Sequence, residues 1–144
     1  MRDNDPHSGA DTITFMSQSI SQIIVTTHGS LAQALGQTLE LIAGPQPAIA
    51  YLPLAFGDDV QVYKTQIAAA ITPDRATLIM VDLPGGTPWN VAVSVANEIA
   101  GVRVVSGVNL SMLLEVCLSR QGLAIDQLTR IAEETGREAI RVYG

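Results

Sequence analysis

The segment Thr77–Pro88, TLIMVDLPGGTP, passes from a strand-like run of five residues into a loop rich in glycine and proline. A run of this kind, without alternation of polar and apolar residues, is typical of a strand buried on both faces of a parallel sheet. Pro88 is suited to the first turn of a helix, and we predict that helix from Pro88 to about Ala100. Strand, loop and helix in this order form the repeating unit of an α/β fold.

The same alternation continues on both sides of this segment. Further strands are predicted over Ile23–Thr27, Ala48–Leu54 and Val102–Val105, and further helices over Leu31–Ala43, Val60–Ile71, Asn109–Arg120 and from Asp126 to near Gly136. We expect Ser30 and Asp126 to cap the helices that follow them, and Gly57–Asp59 to form a turn and cap before the second helix. Ala139–Tyr143 predicts a short terminal strand. The strict alternation indicates a doubly wound, mainly parallel sheet with right-handed crossovers and helices on both faces.

The organisation of the chain follows from its length and from a change in composition near residue 22. The 144 residues are close to the usual length of one domain. Residues 1–21 are polar and lack periodicity, so we predict a disordered leader there and a single domain over residues 22–144. The leader has no basic start followed by an apolar stretch, unlike a secretory signal. With Cys117 as the single cysteine, no intrachain disulfide can form, and we expect a core thiol and a cytoplasmic protein.

Charge and composition argue against several function classes. The net charge is −6 with only 8 Lys and Arg, so we expect no nucleic-acid partner. No run approaches the roughly 18 apolar residues that span a bilayer, so we expect no direct membrane insertion. There is no Walker-type lysine and no acidic cluster for magnesium, which disfavours a nucleotide kinase and predicts no metal site. We expect no cofactor.

Two titratable residues follow the first and third predicted strands, where this fold places its chemistry. Ligands of doubly wound folds bind beyond the carboxyl ends of the strands, where the strand order reverses. In the common order 2-1-3-4 that point lies between the first and third strands. His28 follows the first of these strands and Asp82 follows the third. We therefore expect His28 and Asp82 to face each other across a crevice.

This pair suits a nucleophilic imidazole. A carboxylate bonded to one ring N–H fixes the tautomer and leaves the lone pair of the other nitrogen available for attack. Gly85 and Gly86 let the backbone approach a ligand closely, and the N–H groups of Gly86 and Thr87 form an anion site. Together these features describe phosphoryl transfer onto nitrogen. The residues alone also allow His28 to be an ordinary turn residue and Asp82 to cap the following turn.

Three ordered motifs extend this interpretation: Ile24–Gly29, IVTTHG; Val81–Asn90, VDLPGGTPWN; and Gly107–Glu115, GVNLSMLLE. Together they resemble the enzyme IIA domain of the mannose-type family (mannose, fructose and sorbose) of the bacterial sugar phosphotransferase system. The likeness runs from about Gln22 to the C-terminus and includes Glu134–Glu138, ETGRE. The sequence departs from the common family pattern at Thr87, where Ser is frequent, and at Trp89, where Phe is frequent.

The resemblance implies a phosphohistidine intermediate. His28 matches the histidine that is phosphorylated on Nε2, Asp82 matches the aspartate that bonds Nδ1, and Gly85, Gly86 and Thr87 match the loop around the phosphoryl group. The family's donor is the phosphocarrier protein HPr, and its acceptor is a IIB domain that serves a sugar permease. The family fold is a parallel four-stranded sheet with a C-terminal strand exchanged in a homodimer, and Ala139–Tyr143 fits that strand.

Two other functions remain open at this point. The first is a regulatory module that is phosphorylated at His28 as a signal, with no dedicated permease, since sensing and relaying use the same site. The second is a flavodoxin-like cofactor binder that uses the same crevice. Only 4% of the residues are aromatic, which leaves few side chains to stack on a flavin.

Overall fold

The computed structural model describes residues 20–144. In this part of the chain four strands alternate with five helices. The strands are β1 (Gln22–His28), β2 (Ile49–Leu54), β3 (Thr77–Val81) and β4 (Val102–Val105), and the helices are α1 (Leu31–Ala43), α2 (Val60–Ala70), α3 (Thr87–Glu98), α4 (Leu110–Ser119) and α5 (Ile125–Glu138). The predicted leader, residues 1–21, lies outside the described residues except for Ile20 and Ser21. No helix among residues 20–144 is long and apolar enough to cross a bilayer.

The four strands form one parallel sheet in the order β2-β1-β3-β4, which confirms the predicted topology. The chain moves from β1 to β2 on one side and then returns to β3 on the other side of β1. The order therefore reverses between β1 and β3, where Thr26 pairs with Val81. This reversal opens a crevice beyond the carboxyl ends of these two strands.

Both faces of the sheet are covered by helices, and each face has its own apolar core. One core joins alternate residues of β1 and β3 to α1, α4 and α5. The other joins the intervening residues, such as Ile24 and Ile79, to α2 and α3. This explains why the two central strands have no polar alternation. Cys117 is buried in the first core, as predicted, and burial raises the pKa of its thiol to about 11.

The first helix is capped by a different residue from the one that we predicted. Ser30 occupies the N-cap position of α1, but its side chain makes no capping bond. The hydroxyl oxygen of Thr27 instead accepts the N–H of Ala32 at 2.8 Å. The prediction for Ser30 was wrong because Thr27, the buried penultimate residue of β1, reaches over the turn and supplies the acceptor. The same bond ties the end of β1 to the start of α1.

The other two predicted caps differ in outcome. Asp59 accepts the N–H of Val62 at 3.0 Å and caps α2, as predicted. The last helix begins one residue before Asp126, and the Gln127 amide oxygen accepts the Ala124 N–H at its start. Asp126 lies in the first turn and pairs with Arg103 at 2.9 Å. The prediction for Asp126 was wrong because this carboxylate faces the edge strand β4 rather than the helix end.

The C-terminal segment forms no strand in the single chain. Helix α5 continues to Glu138 instead of ending near Gly136, and residues 139–144 have no strand assignment. The side chains of Ile140, Val142 and Tyr143 are exposed. A strand requires a neighbour to pair its N–H and C=O groups, and no strand within residues 20–144 pairs with this segment.

Candidate functional site

His28 and Asp82 meet at the reversal point, as the strand order predicted. The Nδ1 atom of His28 lies 2.8 Å from Oδ2 of Asp82. The same oxygen accepts the backbone N–H of His28 at 3.0 Å. The second oxygen, Oδ1, accepts the N–H of Leu83 at 3.0 Å. One carboxylate therefore fixes both the ring and the backbone of the histidine.

The ionisation of Asp82 determines the direction of the bond to the ring. Burial of the carboxyl opposes its ionisation, but hydrogen bonds from the ring and backbone of His28 and the positive charge of the ring outweigh burial. The pKa of Asp82 is consequently lower than its ordinary value of 3.8. An ionised carboxylate can only accept, so Nδ1 carries the proton and donates it. In the neutral ring this leaves the lone pair on Nε2.

The accessibility of the two side chains is unequal. The side chain of His28 is 46% exposed, whereas that of Asp82 is 12% exposed. The carboxylate is thus largely shielded from solvent, whereas nearly half of the His28 side chain is accessible. This arrangement suits a nucleophile that reacts with an external partner while its orienting group is protected.

The loop after β3 packs against the ring of His28. A Cβ atom added to Gly86 would lie 3.0 Å from Cε1 and 3.6 Å from Nε2 of His28. Gly85 has a φ of +78°, which glycine adopts without steric cost. The first turn of α3 begins at Thr87, so the N–H groups of Gly86 and Thr87 lie at a helix N-terminus. The loop that we predicted as an anion site is therefore adjacent to the free ring nitrogen.

Hydrogen bonds from neighbouring segments fix the turn after His28. The N–H of Gly29 donates to the carbonyl of Leu54 at 2.8 Å, and Gly29 has a φ of +57°. Thr27 is fully buried and caps α1 from the strand. The sequence analysis missed this role of Thr27. Its only sequence signal is a polar residue that ends an apolar strand directly before the candidate nucleophile.

An open cleft of about 450 Å³ extends from His28 along the end of β2. Phe56 and Val60 line it together with Thr87, and Phe56 is fully exposed. Leu83, beside the glycine loop, is also exposed. Exposed apolar side chains around a reactive centre are typical of a surface that contacts another protein. The sequence did not reveal this feature, because exposure of a loop residue depends on the packing of the loop.

The site combines the exposed imidazole of His28, the carboxylate of Asp82 that orients it, and backbone N–H groups of the glycine loop. No group of three or more His, Cys, Asp or Glu that could hold a metal ion occurs within residues 20–144. A transferred group would contact an imidazole nitrogen on one side and backbone N–H groups on the other. An anionic group such as phosphoryl fits between them.

Comparison with known proteins gives consistent matches. The family described as the fructose IIA component of the phosphotransferase system (EIIA-man) matches residues 22–133. The mannose-specific EIIAB component of Escherichia coli K12 is 32% identical over 124 residues, which are 83% of this chain but 38% of that protein. The fructose-specific EIIA component of Bacillus subtilis is 29% identical over 123 residues, which are 83% of this chain and 84% of that protein.

Solved structures agree with these matches. An EIIA component from Streptococcus agalactiae superimposes with a TM-score of 0.82 at 30% identity, over 85% of this chain and 97% of that chain. A mannose/sorbose-specific IIA subunit from Enterococcus faecalis gives a TM-score of 0.81 at 26% identity, over 87% of this chain and 96% of that chain. The similarity therefore covers nearly the whole of both structures.

The lowered pKa of Asp82 leads to a measurable titration. In wild-type protein we expect the carboxyl of Asp82 to titrate below 3.8, because hydrogen bonds from His28 favour the ionised form. In His28→Ala the midpoint should rise, because the ring bond and ring charge are lost while burial remains. Carbon-13 NMR of the Asp82 carboxyl as a function of pH measures both midpoints.

The sign of the stability effect follows from the same shift. A carboxyl whose pKa is lower in the folded than in the unfolded state stabilises the fold at any pH above its unfolded pKa. This contribution is lost as the pH falls through the folded pKa. The difference in free energy of unfolding between wild type and Asp82→Asn should therefore shrink as the pH falls below about 4. A wild-type midpoint at or above 3.8, unchanged in His28→Ala, would contradict the account of this pair.

Proposed function

The chain belongs to the mannose-type family of phosphotransferase-system EIIA components, and we therefore propose that it carries phosphoryl groups for sugar uptake through His28. EIIA components of this family are phosphotransferases that work through a phosphohistidine. The proposed donor is the phosphocarrier protein HPr, and the proposed acceptor is a IIB domain or subunit of a sugar permease. The observation that carries the proposal is the bond between Asp82 and Nδ1 of His28, which leaves Nε2 free beside Gly86.

The proposed transfer proceeds by exchange of one N–P bond for another. The Nε2 lone pair of His28 attacks the phosphorus of the phosphorylated donor. The donor's N–P bond breaks, and its electron pair returns to the donor's ring. The proton on Nδ1 stays on the ring, and Asp82 stabilises the positive charge that develops there. Gly86 and Thr87 donate N–H groups to the phosphoryl oxygens, with Gly85 providing the turn, and the reverse sequence delivers the group to the acceptor.

The surroundings of His28 support a protein as the phosphoryl donor. Its ring is exposed at one end of an open cleft with apolar side chains such as Phe56 and Leu83. A small phosphorylated metabolite would require a closed pocket with several polar groups. HPr and IIB are proteins of the cytoplasm, and we place this carrier there as well. We propose that residues 22–144 form the carrier domain, because the family match begins at residue 22, and that residues 1–21 are a segment outside it.

The labelling of the histidines tests this function. On incubation with phosphorylated HPr, wild type should acquire one phosphoryl group at His28, and His28→Ala none. Asp82→Asn should be labelled about tenfold to a hundredfold more slowly, since the group that accepts the Nδ1 hydrogen bond loses its charge. His7→Ala, which removes the other histidine of the chain, is the matched control and should be labelled at the wild-type rate.

The chemical behaviour of the label and its fate complete this test. Phosphohistidine is labile in acid and stable in base, and mass spectrometry should place it on His28. Transfer onward to a IIB protein would support the transport function, whereas labelling without onward transfer would favour the regulatory module. An acid-stable label, or equal labelling of His28→Ala and wild type, would overturn the proposal.

We further propose that the carrier is a homodimer in which Ala139–Tyr143 pairs with the sheet of the partner. β4 is an edge strand of the sheet and presents unpaired backbone groups along one side. Ile140 and Val142 are 79% and 94% exposed in the single chain and would share one face of an extended segment. A cleft beside β4 is lined by Val104, Val105 and Ile140, which offers this face an apolar surface.

The oligomeric state of tail variants tests the exchange. Wild type should sediment as a dimer, and the double variant Ile140→Asp, Val142→Asp as a monomer, because two charges would be buried against the partner's sheet. The matched control Leu41→Asp, Leu118→Asp changes two other exposed apolar side chains and should remain a dimer. A monomeric wild type, or a dimeric tail variant, would contradict the exchange.

A further inference from the structure

Asn90, in the first turn of α3, holds two successive carbonyl groups of the glycine loop. Its side-chain Nδ2 donates to the carbonyl of Gly85 at 3.3 Å. Its backbone N–H donates to the carbonyl of Gly86 at 2.9 Å. The proposed mechanism assigns no role to Asn90. The first of these bonds depends on the amide side chain, whereas the second would be made by any residue except proline.

Each bond to a carbonyl also fixes an N–H group. In a trans peptide unit the C=O and the N–H of the next residue point in opposite directions. When Asn90 holds the carbonyl of Gly85, it therefore sets the direction of the N–H of Gly86. The carbonyl of Gly86 in the same way sets the N–H of Thr87. Both N–H groups of the proposed phosphoryl cradle are thus oriented by one residue.

The peptide between Gly85 and Gly86 needs such a restraint. Glycine on both sides allows this unit to rotate with little steric cost, and Gly85 already has a φ of +78°. Within residues 20–144, the Asn90 side chain makes the one hydrogen bond to the carbonyl of Gly85, and the Gly86 N–H donates to no protein group. A rotated peptide would exchange the directions of the Gly85 carbonyl and the Gly86 N–H.

We propose that Asn90 is a positioning residue for phosphoryl transfer, which acts by orienting the Gly86 N–H toward the phosphoryl group on His28. This inference rests on the proposed carrier function. The Gly86 backbone is close to the ring of His28, since a Cβ atom added to Gly86 would lie 3.6 Å from Nε2. Asn90 itself is exposed, so its replacement removes the restraint without opening a cavity in the core.

Transfer kinetics with phosphorylated HPr test this role. We expect Asn90→Ala to lower the maximum transfer rate about threefold to tenfold, the range expected for one lost hydrogen bond. The half-saturating donor concentration should not change. Asn90→Asp, which has the same shape but cannot donate when ionised, should be at least as slow. Asn97→Ala is the matched control, because Asn97 is exposed on the same helix two turns away and should leave the rate unchanged.

The amide proton of Gly86 gives a second readout that a purely structural role would not affect. Phosphorylation of wild type should shift this NMR signal downfield, and the shift should be smaller in Asn90→Ala than in Asn97→Ala. If Asn90→Ala has the wild-type transfer rate and the wild-type NMR shift, the inference is overturned and the carrier function is unaffected. An increased half-saturating concentration at an unchanged maximum rate would overturn it in favour of a docking role. Failure to label wild type at His28 would overturn the carrier function and this inference together.

Discussion

The contact between Asp82 and His28 is the interaction on which the site depends. A single carboxylate oxygen accepts both the ring Nδ1–H and the backbone N–H of the histidine. This places the proton on Nδ1 and leaves the lone pair of the neutral ring on Nε2. The contact exists only because β1 and β3 are neighbours in the sheet with parallel directions, so that His28 at the end of β1 and Asp82 directly after β3 meet at the same edge. The orientation of this imidazole is therefore a consequence of strand order.

The rest of the structure complements this contact from two directions. In the turn that carries the histidine, the Thr27 hydroxyl and the carbonyl of Leu54 accept backbone N–H groups and fix its shape. Beside the ring, the Gly86 backbone approaches the imidazole so closely that an added Cβ would lie only 3.0 Å from Cε1 of His28. A bound phosphoryl group would thus be held by the backbone, and the Asp82 carboxylate contacts the ring at its opposite nitrogen. Negative charge is kept near Nδ1, where it stabilises the ring without repelling phosphate.

The sequence was sufficient for the features that depend on hydrophobic pattern. The β-branched run Ile23–Thr27 and the largely apolar run Thr77–Val81 predicted β1 and β3, and the expected strand order then brought His28 and Asp82 together. The predictions failed where the outcome depends on which of several polar groups is in reach. Ser30 stands in the usual capping position, but Thr27 is closer to the free N–H. The C-terminal segment is apolar enough for a strand, but a strand also requires an edge to pair with, which a sequence does not specify.

The central claim is that Asp82 selects Nε2 of His28 as the phosphoryl acceptor. Nitrogen-15 NMR of the imidazole ring, recorded before and after phosphorylation by HPr, tests this claim most directly. We expect the unmodified ring to be protonated on Nδ1 and the phosphorylated ring to carry the group on Nε2 with Nδ1 still protonated. Phosphorylation on Nδ1, or a neutral unmodified ring with its proton on Nε2, would contradict the account.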